Sequence, residues 1–110
     1  MGAILLVYGL VGLLIVGLCV PLMFGKIPPN GYYGFRTPRT LSDPKVWYPA
    51  NRVAGRNLVV AGLIMVAGAL VTFFLGDQVP QRSGAITLVV IGLVSLFGAV
   101  IASFLALRKM

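Results

Sequence analysis

The polar chemistry of this chain is concentrated between residues 34 and 52. Gly34-Phe35-Arg36-Thr37-Pro38-Arg39-Thr40 is followed by Ser42-Asp43-Pro44, then by Trp47, Asn51 and Arg52. Two guanidinium groups with two residues between them, two threonine hydroxyls and a nearby helix start are the parts of an anion grip. Phosphate, a lipid headgroup or a carboxylate would each suit it. The same cations also suit a plainer task, setting membrane topology and touching anionic lipid. A third use is internal. Arg36 could pair with Asp43 or bond helix-end carbonyls, folding the segment back on the rest of the protein. Arg36, Thr37, Arg39, Thr40, Trp47, Asn51 and Arg52 are therefore the candidate ligand- or partner-binding residues.

Catalysis is hard to assemble from this inventory. The chain has no His, two acids (Asp43 and Asp77) and one cysteine, Cys19. A side-chain nucleophile needs a base, and zinc needs a cluster of N and S ligands. Asp43 is placed to cap a helix, and Asp77 lies in a distant turn. We expect no enzyme, no metal and no cofactor.

These residues sit in a very apolar chain. Of 110 residues, 59% are apolar and 10% charged, with mean hydropathy +1.02. Soluble domains carry about 25% charged residues. Nine Lys and Arg against two acids give a net charge of +7. In so apolar a chain this charge points to the anionic face of a bilayer, and not to direct binding of nucleic acid.

Three uncharged runs are long enough to cross a membrane: about 3–24, 58–75 and 84–107. At about 1.5 Å per residue, the first spans about 33 Å against a hydrocarbon core of about 30 Å. It lacks the basic n-region and small-residue cleavage site of a signal peptide, so we expect a retained helix. The connection 76–83, with Gly76, Asp77, Pro80 and Ser83, reads as a hairpin turn.

The segment 25–57 is a basic loop holding Lys26, Arg36, Arg39, Lys45, Arg52 and Arg56. Pro28-Pro29-Asn30-Gly31 is turn chemistry. Ser42-Asp43-Pro44 reads as a helix start, with a capping side chain ahead of Pro in the first turn. A short interfacial helix from Pro44 would lead into the second span. Pro49 would kink or restart it, and Trp47 and Tyr48 would sit in the interfacial belt. Trp47, Asn51, Ala54/Gly55 and Leu58 share one helical face, and Arg52 and Arg56 share another.

The expected fold class is an all-α membrane protein. Three transmembrane helices form a compact bundle, with the basic loop and short interfacial helix between the first two. We expect a single domain over 1–110. Eight Lys and Arg fall on the side of the loop and C-terminus, and one, Arg82, on the other. That asymmetry predicts an N-terminus outside, with the loop and C-terminus in the cytoplasm.

Small residues recur along each span: Gly2, Gly9, Gly12 and Cys19; Gly55, Gly62, Ala69 and Gly76; Gly92, Ser95, Ala99, Ala102 and Ala106. Close backbone packing over such residues replaces the missing hydrophobic drive in lipid. A surplus small-residue face could serve a larger membrane complex, with this chain as an accessory subunit. Thr72, Thr87, Ser95 and Ser103 are expected to bond their own helix backbones. No Asp, Glu, Lys, Arg or His lies mid-span. That argues against a proton-coupled transporter, a pump or a channel.

Gly34-Phe-Arg-Thr-Pro-Arg-Thr-Leu-Ser-Asp-Pro-Lys-Val-Trp47, continued by Ala50-Asn-Arg-Val-Ala-Gly55, resembles the signature of the SdpI family. Gly34, Arg36, Thr37, Thr40, Leu41, Trp47, Asn51, Arg52 and Gly55 carry the resemblance, and the order of spans extends it. Pro49 departs from the family's uninterrupted helix. The resemblance implies a multi-pass protein of the bacterial cell (inner) membrane, engaged in immunity and signal transduction. Its implied partners are a toxin peptide or a cytoplasmic repressor. The family's immunity member has further membrane helices ahead of the shared region. If repressor binding carries over, the basic loop is the expected docking surface.

Overall fold

Four α-helices follow one another in the computed structural model: α1 (Gly2–Met23), α2 (Pro38–Ser42), α3 (Pro44–Leu75) and α4 (Gln81–Leu107), with a single 3₁₀ turn at Gly76–Gln78. Residues 2–110 are described, so the expected domain 1–110 includes one residue, Met1, outside the described residues. Among the described residues there is no strand. Helices α1, α3 and α4 are each long and apolar enough to cross a membrane. The protein is an all-α bundle of three transmembrane helices, elongated at 51 × 22 × 18 Å.

Helix α3 is the central one, with α1 and α4 both laid along it. The α1–α3 seam is built on small residues, as close packing in lipid requires. A Cβ on Gly12 would stand 2.9 Å from the Gly62 carbonyl oxygen, and one on Gly62 would stand 2.8 Å from that of Gly12. Gly9 faces Ala69 in ordinary contact. Gly55 is tighter still, with Met23 N only 2.6 Å from its Cβ position. The recurring small residues of the first two spans thus form a real seam. Its ends are not, because neither Gly2 nor Gly76 has a neighbour within 4 Å of its Cβ position. On α4 the buried face is Gly84, Leu88, Gly92, Ala99, Ser103 and Leu107, and Ala102 is exposed. Thr72, Thr87 and Ser103 donate to the carbonyls of Gly68, Ser83 and Ala99 at 2.7–2.8 Å, the expected back-bonds.

Helix α1 ends in a glycine turn. Gly25 adopts φ 69°. Its N–H bonds Leu22 O at 3.1 Å, and Lys26 N–H bonds Pro21 O at 3.0 Å. This pair of bonds closes the last carbonyls of the helix and reverses the chain. The Arg52 guanidinium lies over this turn, with one nitrogen 3.2 Å from the Cβ position of Gly25. A cation there opposes the negative end of the helix dipole.

Helix α3 begins where Ser42-Asp43-Pro44 predicts. Asp43 caps it, accepting from Lys45 N–H at 2.9 Å, with Pro44 in the first turn. It then differs from expectation. The interfacial segment and the second span are one helix of 32 residues, unbroken at Pro49. The reason is position. Pro49 lies in the second turn, and the bond it deletes would have gone to the carbonyl of Lys45, an exposed residue where water can substitute. The short helix between the spans is instead α2, which sequence reading missed. Thr37 caps it: Thr40 N–H bonds Thr37 Oγ1 at 3.1 Å, and Thr37 N–H bonds Thr40 Oγ1 at 2.7 Å. This is a reciprocal capping box with threonine in the place of the usual Glu or Gln.

At about 1.5 Å per residue α3 extends about 48 Å, well beyond a hydrocarbon core of about 30 Å. The excess is its N-terminal segment, up to Arg56. The loop folds back onto that segment.

Candidate functional site

The loop is held by three buried polar side chains. Trp47, Asn51 and Thr40 are the largest fully buried side chains. Asn51 Oδ1 accepts from Phe35 N–H at 2.6 Å, and its Nδ2 donates to Trp47 O at 3.0 Å and Phe35 O at 3.3 Å. One amide thereby satisfies both backbone groups of a loop residue, as a neighbouring strand would. Thr40 Oγ1 also donates to Phe35 O at 2.8 Å. Trp47 Nε1 donates to Ile27 O at 2.8 Å. Two ends of the loop, residues 27 and 35, are therefore tied to the first two turns of α3.

Gly34 completes this arrangement. Its φ is 118°, and a Cβ there would stand 2.9 Å from Asn51 Oδ1 and 3.2 Å from the Trp47 ring. Only glycine supplies both the backbone angle and the space. Farther out, Asn30 Oδ1 accepts from Tyr32 and Tyr33 N–H at 2.8 and 3.0 Å, an Asx-type turn at the expected Pro-Pro-Asn-Gly stretch.

The seven candidate residues thus divide. Thr40, Trp47 and Asn51 are interior and build the loop, and Thr37 caps α2. Arg36, Arg39 and Arg52 are exposed. The placement of Trp47 in an interfacial belt is overturned: it is 0% exposed, packed against Gly34. An interfacial ring would need one face toward headgroups, and the returning loop covers it. The helical face Trp47–Asn51–Ala54–Gly55 is buried, and Arg52 and Arg56 lie on the exposed face, as their spacing predicts.

Arg39 makes the internal bond considered for Arg36. Its Nη1 donates to Leu107 O at 2.8 Å, closing the C-terminal end of α4. Phe35 and Phe104 stack edge to face with centroids 4.9 Å apart, so the loop touches α4 twice. We predict that Arg39→Ala costs about 1 kcal/mol or less, as for an exposed charge-assisted bond. Hydrogen exchange should show faster exchange confined to the last turn of α4. Unchanged exchange there would mean that the bond does not persist in solution.

One feature between α3 and α4 had no sequence signal. Asn57 Nδ2 donates to Ser103 Oγ at 3.2 Å, a polar cross-link at the point where α3 enters the apolar run. Only the packing of the two helices brings those positions together. Among the described residues no group of three or more His, Cys, Asp or Glu could hold a metal ion.

The cations share one end. The contact of Arg39 with Leu107 puts the loop and the C-terminus at the same end of the bundle. Eight of the nine Lys and Arg are in the loop, the start of α3 or the C-terminus, leaving Arg82 at the other end.

Comparison with known proteins finds relatives for most of this chain. The model of the SdpI/YfhL protein family matches residues 26–107, from the loop through the last span. The immunity protein SdpI of Bacillus subtilis is 44% identical over 50 residues, covering 46% of this chain and 23% of that protein. YfhL of the same organism, described as uncharacterized, is 35% identical over 69 residues, covering 57% of this chain and 59% of its own length. The matched stretch is less than two thirds of either relative. No solved structure matches the chain. With most of its length under the family model and three membrane-spanning helices in place, the chain belongs to the SdpI/YfhL family and is a multi-pass bacterial membrane protein.

Proposed function

We propose that the protein works as an SdpI-like immunity and signal-transduction protein, holding a toxin peptide or a cytoplasmic regulator on its basic loop. The observation that carries this reading is the division of labour in the loop. Buried Thr40, Trp47 and Asn51 hold the loop on α3, which sets exposed Arg36 beside the exposed Lys45, Arg52 and Arg56 of that helix. Asp43, the only acid in the segment, is engaged as a helix cap. A fixed surface of one sign favours an acidic partner and speeds its encounter. The likeness to an immunity protein supports the same reading.

The orientation belongs to this proposal. Eight basic residues at one end favour a cytoplasmic loop and C-terminus with the N-terminus outside. A periplasmic reporter fused at residue 35 should be inactive, and an active one would reverse the topology.

The test is photo-crosslinking in native cells from a probe at Lys45, with adducts identified by mass spectrometry. A soluble regulator or secreted peptide is the expected adduct, and Arg36→Ala should abolish it while the protein persists at normal level. Adducts drawn only from subunits of one integral membrane complex would replace this reading with that of an accessory subunit.

A further inference from the structure

A cleft opens between α1 and α4 beneath the returning loop. Its walls are Leu18 and Leu22 of α1, Leu58 of α3, and Val100 and Phe104 of α4, and Arg36 stands at its mouth. Its volume is about 400 Å³, within the usual range for ligand pockets, about 300–1,000 Å³. We propose that this cleft holds an acyl chain of a single anionic glycerophospholipid, with the lipid phosphate on Arg36.

Three observations select this occupant. The first is depth. Leu58 lies just inside the uncharged run of α3, and Arg52 and Arg56 lie just outside it. The mouth of the cleft is therefore at headgroup level, with its walls below. The second is charge. Arg36 is exposed at the mouth, and a guanidinium can bond two phosphate oxygens at once. The third is that most hydrogen-bonding groups along the cleft, the Tyr33 hydroxyl apart, are already engaged. The Thr37 hydroxyl is engaged with Thr40, the Ser103 hydroxyl with Ala99 and Asn57, and both backbone groups of Phe35 with Asn51. A peptide entering here would bring backbone N–H and C=O groups that need partners. A hydrocarbon chain brings none.

The experiment is native mass spectrometry of the purified full chain, with phosphatidylglycerol and phosphatidylcholine of identical acyl chains added in competition. One bound phosphatidylglycerol is expected, preferred by about fivefold, the effect of roughly one cation near an anionic headgroup. Arg36→Gln should bring the preference to about one with the melting temperature unchanged. Arg56→Gln, outside the cleft, should leave the preference intact. Val100→Trp fills the cleft from its lipid-exposed wall and should reduce retention of both lipids. Equal retention by the wild type would overturn the proposal. So would equal losses in the Arg36 and Arg56 variants, which would indicate a diffuse basic surface. Lipid retention unaffected by Val100→Trp would overturn it as well, as would a co-purifying peptide displaced by that variant in place of lipid.

Discussion

Asn51→Leu should release the basic loop while leaving the three spans helical. The substitution keeps the volume and removes every hydrogen bond that the amide makes. Phe35 N–H then has no partner, Phe35 O keeps only Thr40, and Trp47 O loses its extra donor. Leaving a buried polar group unsatisfied costs about 1–3 kcal/mol, and with Phe35 N–H the one group so left, the loss is about 1–3 kcal/mol for this site. Trp47 is the only tryptophan, fully buried beside Asn51, and so reports on the loop directly. Its fluorescence should shift to the red and the loop should become protease-sensitive, with far-UV circular dichroism nearly unchanged. An unshifted emission spectrum would show that the loop is held by other contacts. Because Arg36 rides on this loop beside the start of α3, the crosslink from Lys45 should weaken in the same variant.

Gly55→Ala should be the most damaging single-methyl change in the spans. The added carbon would stand 2.6 Å from Met23 N and 2.9 Å from Cys19 O, both backbone atoms of α1. A side chain can turn aside, but a packed helix backbone must move as a body. Overpacking typically costs about 1–3 kcal/mol, and this site belongs at or above the upper end. Gly98→Ala is the matched control. Nothing lies within 4 Å of its Cβ position, and alanine is the better helix former by about 1 kcal/mol. Unfolding in a detergent titration should therefore shift in opposite directions for the two variants. Equal shifts would mean that α1 does not approach α3 as closely as the seam requires.

Several particular features were legible before folding was known. The cap at Asp43, the turn at Pro28–Gly31 and the back-bonding Thr72 and Thr87 depend on residues within four positions of each other. The α1–α3 seam was legible too, because small residues at helical spacing have few uses in lipid other than close approach. Pro49 was misjudged because the cost of a missing N–H depends on whether the orphaned carbonyl can reach water. Helix α2 was missed because its capping box uses threonine twice.

The candidate site shows the limit most clearly. Arg36 and Arg39 look equivalent in the sequence, yet one closes the end of α4 and the other stands at the mouth of a cleft. Trp47 reads as an interfacial ring until the loop is seen to cover it.

Run lengths, missing charges and basic residues by themselves determined three membrane crossings and two ends of opposite character. That is so because hydrocarbon penalises each unpaired polar group locally, wherever it occurs in the chain. Which signature residues are structural and which are presented to a partner was decided only by tertiary structure. The deciding bonds join Phe35 to Asn51, 16 residues apart, and Arg39 to Leu107, 68 apart. No periodicity encodes such pairs: each forms only after the helices have packed and the loop has returned onto α3.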